Sequence, residues 1–456
     1  MKRDYAAFLA SKAPRARAAG FEPLALPDHL FDFQAHCVEF CIRQGRTGLY
    51  LDTGLGKTRC QLEWARQCAE QTNGRALILT PLAVAKQFER EGSSIGYECW
   101  VIREQSDARD GISICNYDRL DKLSVDEFGA VSLDESSILK AFEGKTTQAL
   151  IGLFEHHRFR LSATATPAPN DHMELGNQAE FLGLLSAQEM LMRWFINDTS
   201  QASQQWRLKG HAEQDFYDWM ASWSRMAQSP DDLGFDGSRF NLPPLNIVKH
   251  KAIGTKVRAP EGSLFAGDVS ATNMFDIKRQ TSHERAGLAA SLIKPDDTYW
   301  LIWCDTNDEE DALLDCLPGA VSVRGSMSIE MKEERLDAFV SGGRRILITK
   351  PSIGGRGLNL QHCHNMIYVG RTFSYEDWYQ SVRRCWRFGQ KHPVNVHIIV
   401  AEGEDQIGRV IDRKADDHAA MKIAMAEAMR RATERGPQQV RVEYNPQYQG
   451  GLPSWL

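Results

Sequence analysis

The sequence predicts an α/β protein: two parallel-sheet domains in tandem with a helical insertion between them. Two separate series of short, wholly apolar runs alternate with helix-length segments, and strands apolar along their whole length belong to parallel sheets covered by helices on both faces. A polar, tryptophan-rich stretch divides the two series. The 456 residues leave room for about three domains at ~150 residues each, and a hydrophobic content of 42% is enough for substantial cores.

The first series lies at 48–51, 76–80, 112–115, 130–133 and 159–162. The second lies at 299–304, 320–323, 345–349, 365–369 and 394–400, with helical stretches such as 329–340 between its members. Residues 184–250 carry Trp194, Trp206, Trp219 and Trp223 and then Pro243 and Pro244, which reads as a helical insertion followed by an extended linker. Residues 251–280 have little periodicity, 405–435 are rich in Ala, Met and charge and read as helix, and the last residues read as a loosely held tail. The expected units are 1–183, 184–282, 283–405 and 406–456.

Composition narrows the function classes. The ten cysteines form no Cys-x-x-Cys pair, and Cys37 and Cys41 sit one helical turn apart in an apolar stretch, as expected for buried thiols of a reducing cytoplasm. The first twenty residues lack the apolar centre of a secretory signal and no segment reaches the ~20 apolar residues of a membrane span, so a soluble cytoplasmic protein without membrane contact is expected. With a net charge of −6, any anionic partner has to be met by a local basic surface.

LDTGLGKT, residues 51–58, follows an apolar run and precedes a helix-forming one, the setting of a phosphate loop. Thr53, Gly54, Leu55 and Gly56 supply backbone that can close around phosphate oxygens, Lys57 reaches the β- and γ-phosphates, and Thr58 ligates Mg²⁺. The strict pattern has Gly where Leu51 stands. In VSLDESS, Asp134 and Glu135 follow the next apolar run but two and fall at the carboxyl edge of the sheet, where ligands of open α/β folds bind. Asp134 is placed to hold Mg²⁺ and Glu135 to deprotonate a water. RLSATATP then brings Ser162, Thr164 and Thr166 to the same edge, as relay hydroxyls or as a capping turn.

In the second half, Gln380, Arg384 and Arg387 have the spacing of one helical stripe, suited to a polyanion or to the charge developing on a transferred phosphoryl group. KPSIGGRGLNLQ offers the backbone of Gly355, Arg356 and Gly357 and the side chain of Asn359 to a nucleic-acid phosphate or a nucleotide. Arg344, Arg345, Lys350, Arg356, Arg371, Arg383, Arg384, Arg387 and Lys391 give the region a basic surplus, as a nucleic-acid groove requires.

Taken in order, these segments resemble the Swi/Snf-like branch of the superfamily-two helicases and DNA translocases, from about residue 30 to residue 403. LDTGLGKT is similar to that family's phosphate-binding motif, in which an acidic residue opens the loop, and LFDFQ to its glutamine motif, implying that Gln34 reads adenine. LILTPLAVAKQFERE and ICNYDRL fall where the family contacts the nucleic-acid strand. VSLDESSILK, RLSATATPAPN, GGRGLNLQ and QSVRRCWRFGQ resemble its later motifs, which gives Ser162 and Thr164 a coupling role and Arg384 and Arg387 arginine-finger roles, with Gln380 beside them. Ser136 and Ser137 replace the family's usual Ala-His. The resemblance implies two RecA-like domains that bind ATP and Mg²⁺ between them and move along DNA, with duplex DNA favoured. An RNA helicase of the same superfamily and a nonhydrolytic ATP-gated scaffold are the open alternatives. The compact length and WRLKGH, 206–211, look like phage or prophage members, implying the cytoplasm of a bacterium or infected host and partners from replication, repair or recombination.

Overall fold

The computed structural model of the protein describes residues 18–141, 144–168, 171–198, 205–252, 271–355, 359–401 and 405–434. Its first half runs α1 (Asp32–Gln44), β1 (Arg46–Leu51), α2 (Lys57–Glu70), β2 (Arg75–Thr80), α3 (Leu82–Ser94), β3 (Cys99–Val101), β4 (Gly111–Asn116), β5 (Ala130–Asp134), α4 (Lys145–Leu153), β6 (Phe159–Ala163), α5 (Glu174–Phe181), α6 (Ala187–Trp194), β7 (Phe195–Asp198), β8 (Gln205–Leu208), α7 (Glu213–Trp223) and β9 (Ser224–Ala227). Seven strands form one sheet in the order β3-β4-β2-β5-β6-β1-β9, every neighbouring pair parallel. Strands β5 and β6 are buried along their whole length, and the polar residues they carry are hydrogen-bonded inside: Ser132 Oγ donates to Gln61 Oε1 at 2.8 Å and Arg160 Nη1 to Phe181 O at 2.6 Å.

The second half runs β10 (Leu245–Lys251), α8 (Ala271–Gln280), α9 (Ser282–Leu292), β11 (Trp300–Trp303), α10 (Asn307–Cys316), β12 (Val321–Val323), α11 (Ile329–Val340), β13 (Ile346–Thr349), α12 (Pro351–Gly354), β14 (Asn365–Tyr368), α13 (Tyr375–Val382), β15 (Val394–Val400) and α14 (Asp405–Glu434). Its six strands are ordered β10-β15-β14-β11-β13-β12, again all parallel. Two parallel sheets with covering helices are the tandem RecA-like arrangement the sequence predicts.

The stretch expected as a helical insertion and linker also carries strands, and it feeds both sheets. Trp194, Trp219 and Trp223 pack with Phe216 into the core of the first half. β9 pairs with β1 although it opens with Ser and Arg, because helix α7 takes up their polar atoms: Ser224 Oγ donates to Met220 O at 2.8 Å and Arg225 Nη1 to Ala221 O at 2.9 Å. With no apolar run and no turn before it, that strand is continuous with the helix in sequence. β10 is the exposed edge strand of the second sheet, which is why Lys249 and Lys251 stand among its apolar residues.

The charge-rich C-terminal segment forms the 30-residue helix α14, which bridges the halves. Ile407 and Ile411 pack with Tyr375 of the second half, whereas Met421, Met425, Ala428 and Met429 belong to the first half's core. Among the described residues every cysteine is a free thiol, and no helix is long and apolar enough to cross a membrane.

His418 of α14 is buried between Tyr375 and Tyr379, its Nδ1 3.1 Å from the Tyr375 hydroxyl. Burial, and then the Lys422 ammonium, push it from 6.5 down to about 3. The unfolded chain therefore takes up the proton first, so the contribution is fully present above pH 6.5 and is lost as the pH falls toward 3. Between pH 7.5 and 5 the wild type should lose on the order of 2 kcal/mol more stability than His418→Gln, measured by urea unfolding.

Candidate active site

Strand β1 ends at Leu51, and the chain turns through residues 52–56 into helix α2, whose first residue is Lys57. The turn requires Gly54 and Gly56, at φ +92° and +80°. A side chain at position 56 would also collide with Gln34, whose Nε2 lies 2.2 Å from where its Cβ would be. Gln34 is buried and bonds to the loop itself, donating to Leu55 O at 2.9 Å while its Oε1 accepts from Phe31 N–H at 3.1 Å. The N-terminal amides of α2 and their dipole make the loop an anion site. Lys57 lies along it, its Nζ donating to Leu51 O at 2.7 Å. Burial lowers its pKa, opposed by Glu135, Asp52 and Asp134.

Strand β5 delivers the acidic pair. Asp134 accepts from Gln61 Nε2 at 2.9 Å and from Thr80 Oγ1 at 3.2 Å, and burial together with the Glu135 charge pushes it up to about 6. Glu135 is the one non-glycine residue at positive φ, +51°, among the described residues; such backbone costs about 1–3 kcal/mol and persists where its surroundings enforce it. Its carboxylate lies 3.4 Å from Thr164 Oγ1, 3.4 Å from Gln380 Nε2 and 3.9 Å from Arg384 Nη2. Thr58 and Asp134 line the same cleft, and their side-chain oxygens are donors of the kind that could hold a magnesium ion.

The opposite wall comes from the second half. Arg384, Arg387 and Phe388 face Thr53, Gly54, Gly56, Lys57, Thr58, Asp134 and Glu135 across a cleft of about 350 Å³, within the ~300–1,000 Å³ range of small-molecule sites. Phe388 stacks on Phe240 with ring centres 4.7 Å apart, and Phe240 meets Phe31 edge-on at 5.3 Å, giving the cleft an apolar wall beside Gln34. Burial lowers the pKa of Arg384, while burial, Arg384 and Arg383 push Arg387 down to about 10.

Several expectations need correction. Gln380, Arg384 and Arg387 do not share one helix: α13 ends at Val382, and the chain continues in tight turns closed by Arg384 N–H to Ser381 O and Cys385 N–H to Val382 O. Cys385 is drawn into the second core and Trp386 Nε1 donates to Pro243 O at 2.7 Å, which holds this non-helical course. Ser162 points into the sheet interior, 3.1 Å from the Tyr50 hydroxyl, and does not line the cleft. Gly355 is buried and its N–H is taken by Pro351 O at 2.8 Å, so it offers no amide to a phosphate. Arg356 and Gly357 lie outside the described residues, and Asn359 is exposed away from the cleft. Arg383 and Arg384 are buried, so they are not part of a solvent-facing basic groove.

Sequence reasoning missed the contacts that join the halves. Asp52 accepts from the Tyr379 hydroxyl at 2.5 Å and lies 3.1 Å from Arg383 Nη2 and 3.8 Å from Lys422 Nζ. Ser137 donates to Glu376 Oε1 at 2.6 Å, and Lys140 to Glu376 Oε2 at 2.6 Å. Ser137, which replaces the histidine of the resembled family, thus makes a cross-domain bond. Ser137 was visible as a departure from the resembled family and Asp52 as an acidic residue at the opening of the loop; their partners carried no local signal.

Residues 290–389 match the family of the helicase conserved C-terminal domain. A search of curated proteins finds no match. The matched region contains β11 to α13 and the cleft residues Arg384 and Arg387, and it supports a helicase-type, ATP-dependent nucleic-acid motor.

Gly96 has nearly the same φ as Gly56, +79°, but a Cβ there meets nothing within 4 Å. Gly96→Ala should cost about 1 kcal/mol in denaturant unfolding, the backbone strain alone. Gly56→Ala should cost about 2–3 kcal/mol, because Gln34 must also give way.

Proposed function

We propose that the protein is an ATP-driven motor that translocates along DNA, with the duplex favoured as track. One observation carries this reading: the Lys57 loop and the Asp134–Glu135 pair of one sheet share a single cleft with Arg384 and Arg387 of the other. The triphosphate lies on the amides of residues 53–58, with Lys57 turning from its loop carbonyls to the β- and γ-phosphates. The adenine lies beside Gln34 and the Phe31–Phe240–Phe388 wall. Thr58 and Asp134 would hold Mg²⁺, which when bound neutralises phosphate charge.

Glu135 accepts the proton of the attacking water. Arg384 and Arg387 meet the charge developing on the γ-phosphoryl oxygens, a contribution that can reach ~10³ in rate. These groups come from different sheets, so the nucleotide favours the closed cleft and its hydrolysis releases that preference. Repeated closure shifts one domain's hold on the track relative to the other's. The phage or prophage kinship, the cytoplasmic setting and partners from replication, repair or recombination belong to the same proposal and are supported by the sequence resemblance.

Steady-state ATP turnover with Mg²⁺ is the test, comparing no nucleic acid, duplex DNA, single-stranded DNA and RNA. Stimulation chiefly by duplex DNA is expected. Lys57→Ala should lower kcat/KM at least ~100-fold, and Glu135→Gln should lower kcat by ~10²–10³ while nucleotide still binds. Stimulation by RNA alone contradicts the DNA assignment, and Glu135→Gln turnover equal to wild type contradicts the assigned base.

A further inference from the structure

Helix α14 lies outside the region matching the helicase C-terminal family, yet it reaches the nucleotide loop. At 1.5 Å per residue its 30 residues span about 45 Å. Its C-terminal half is fixed to the first half of the chain by the buried methionines and by Arg431 Nη2, 2.7 Å from Asp218 Oδ1. Its N-terminal half rests on α13 through Ile407 and Ile411. Where it passes the opening of the loop it places Lys422, 6% exposed, with Nζ donating to the Tyr379 hydroxyl at 2.8 Å and lying 3.8 Å from Asp52 Oδ2.

Asp52 opens the loop and is 6% exposed. Its Oδ1 accepts the Thr53 N–H at 2.6 Å and the Tyr379 hydroxyl at 2.5 Å. Arg383, 3.1 Å from Oδ2, also donates to Thr53 O at 3.0 Å. A buried carboxylate is tolerated only when paired and hydrogen-bonded, and loss of one partner leaves an uncompensated charge. The conformation of residues 52 and 53 is thus set by side chains of α13, of the turn after it, and of α14. The carbonyls of Leu51 and Asp52 are also the acceptors of Lys57.

We propose that Lys422 is a positioning residue of the ATP site: acting through Tyr379 and Asp52, it holds the phosphate loop in its nucleotide-accepting form, which makes the C-terminal helix a third structural part of that site. This rests on the nucleotide reading above. Lys422→Met keeps most of the apolar stem and removes the charge. It should raise KM for ATP about tenfold or more while kcat stays within about threefold, and Lys422→Arg should recover most of the loss. Asp52→Asn should show a comparable defect, and adding Lys422→Met to it should cause no further loss, because the charge Lys422 serves is already gone. A residue that merely packs the helix would instead add its effect to that of Asp52→Asn and would not be rescued by arginine.

The experiment measures the Kd of a fluorescent ATP analogue and the kinetics of the full chain, with thermal unfolding of each variant. If Lys422→Met alone does not fold, the Asp52→Asn/Lys422→Met protein, with both charges removed, is compared with Asp52→Asn. Wild-type affinity in Lys422→Met, or additive losses in the double variant, overturns the proposal. Absence of Lys57-dependent binding in the wild type overturns the nucleotide reading itself, a result distinct from either.

Discussion

A carboxylate buried at the opening of the 52–56 loop constrains how the two halves of this protein can sit. Asp52 carries its charge out of water, and burial works against it, yet Arg383, Lys422 and the hydrogen bonds from Tyr379 and Thr53 hold it well below the usual carboxylate range. Each of those side-chain partners lies on the far side of the cleft or on the bridging helix. Pulling the halves fully apart would let water reach Asp52 and Arg383 and would take from the loop the Tyr379 hydrogen bond to Asp52 and the Arg383 hydrogen bond to Thr53 O. Contact between the loop and the second sheet is therefore a condition of the loop's own shape.

Charge in the cleft is arranged around the same constraint. Asp134 and Glu135 stand close enough that Asp134 is pushed up to about 6, by burial first and then by its neighbour. On the facing wall burial and clustered guanidinium groups push Arg387 down to about 10. Each wall holds like charges close together, a state relieved by a ligand that brings a cation to one and phosphoryl oxygens to the other. The left-handed backbone of Glu135 adds strain at the position that faces the reacting water in the proposed chemistry.

Much of this was legible in the sequence because parallel strands announce themselves. Runs such as 76–80 and 130–133 are apolar at successive positions, and the residues just beyond them must lie at a carboxyl edge, so Lys57, Asp134 and Glu135 could be placed near one another without coordinates. β9 could not be read, since its Ser224 and Arg225 are satisfied by a helix that merges with it in sequence. The arginine spacing suggested a helix where packing of Cys385 and Trp386 imposes turns. Lys422 was invisible because a lysine in a charge-rich helix gives no sign of burial until the surface it crosses is known.

In the proposed mechanism both sheets hold one nucleotide. A structure determined with a nonhydrolysable ATP analogue and Mg²⁺ tests it most directly. The β- and γ-phosphates are expected on the 53–58 loop and Lys57, the metal ion beside Thr58 and Asp134, and Arg384 or Arg387 within hydrogen-bond distance of the γ-phosphate. A nucleotide held by the first sheet alone, with both arginines out of reach of it, would contradict it.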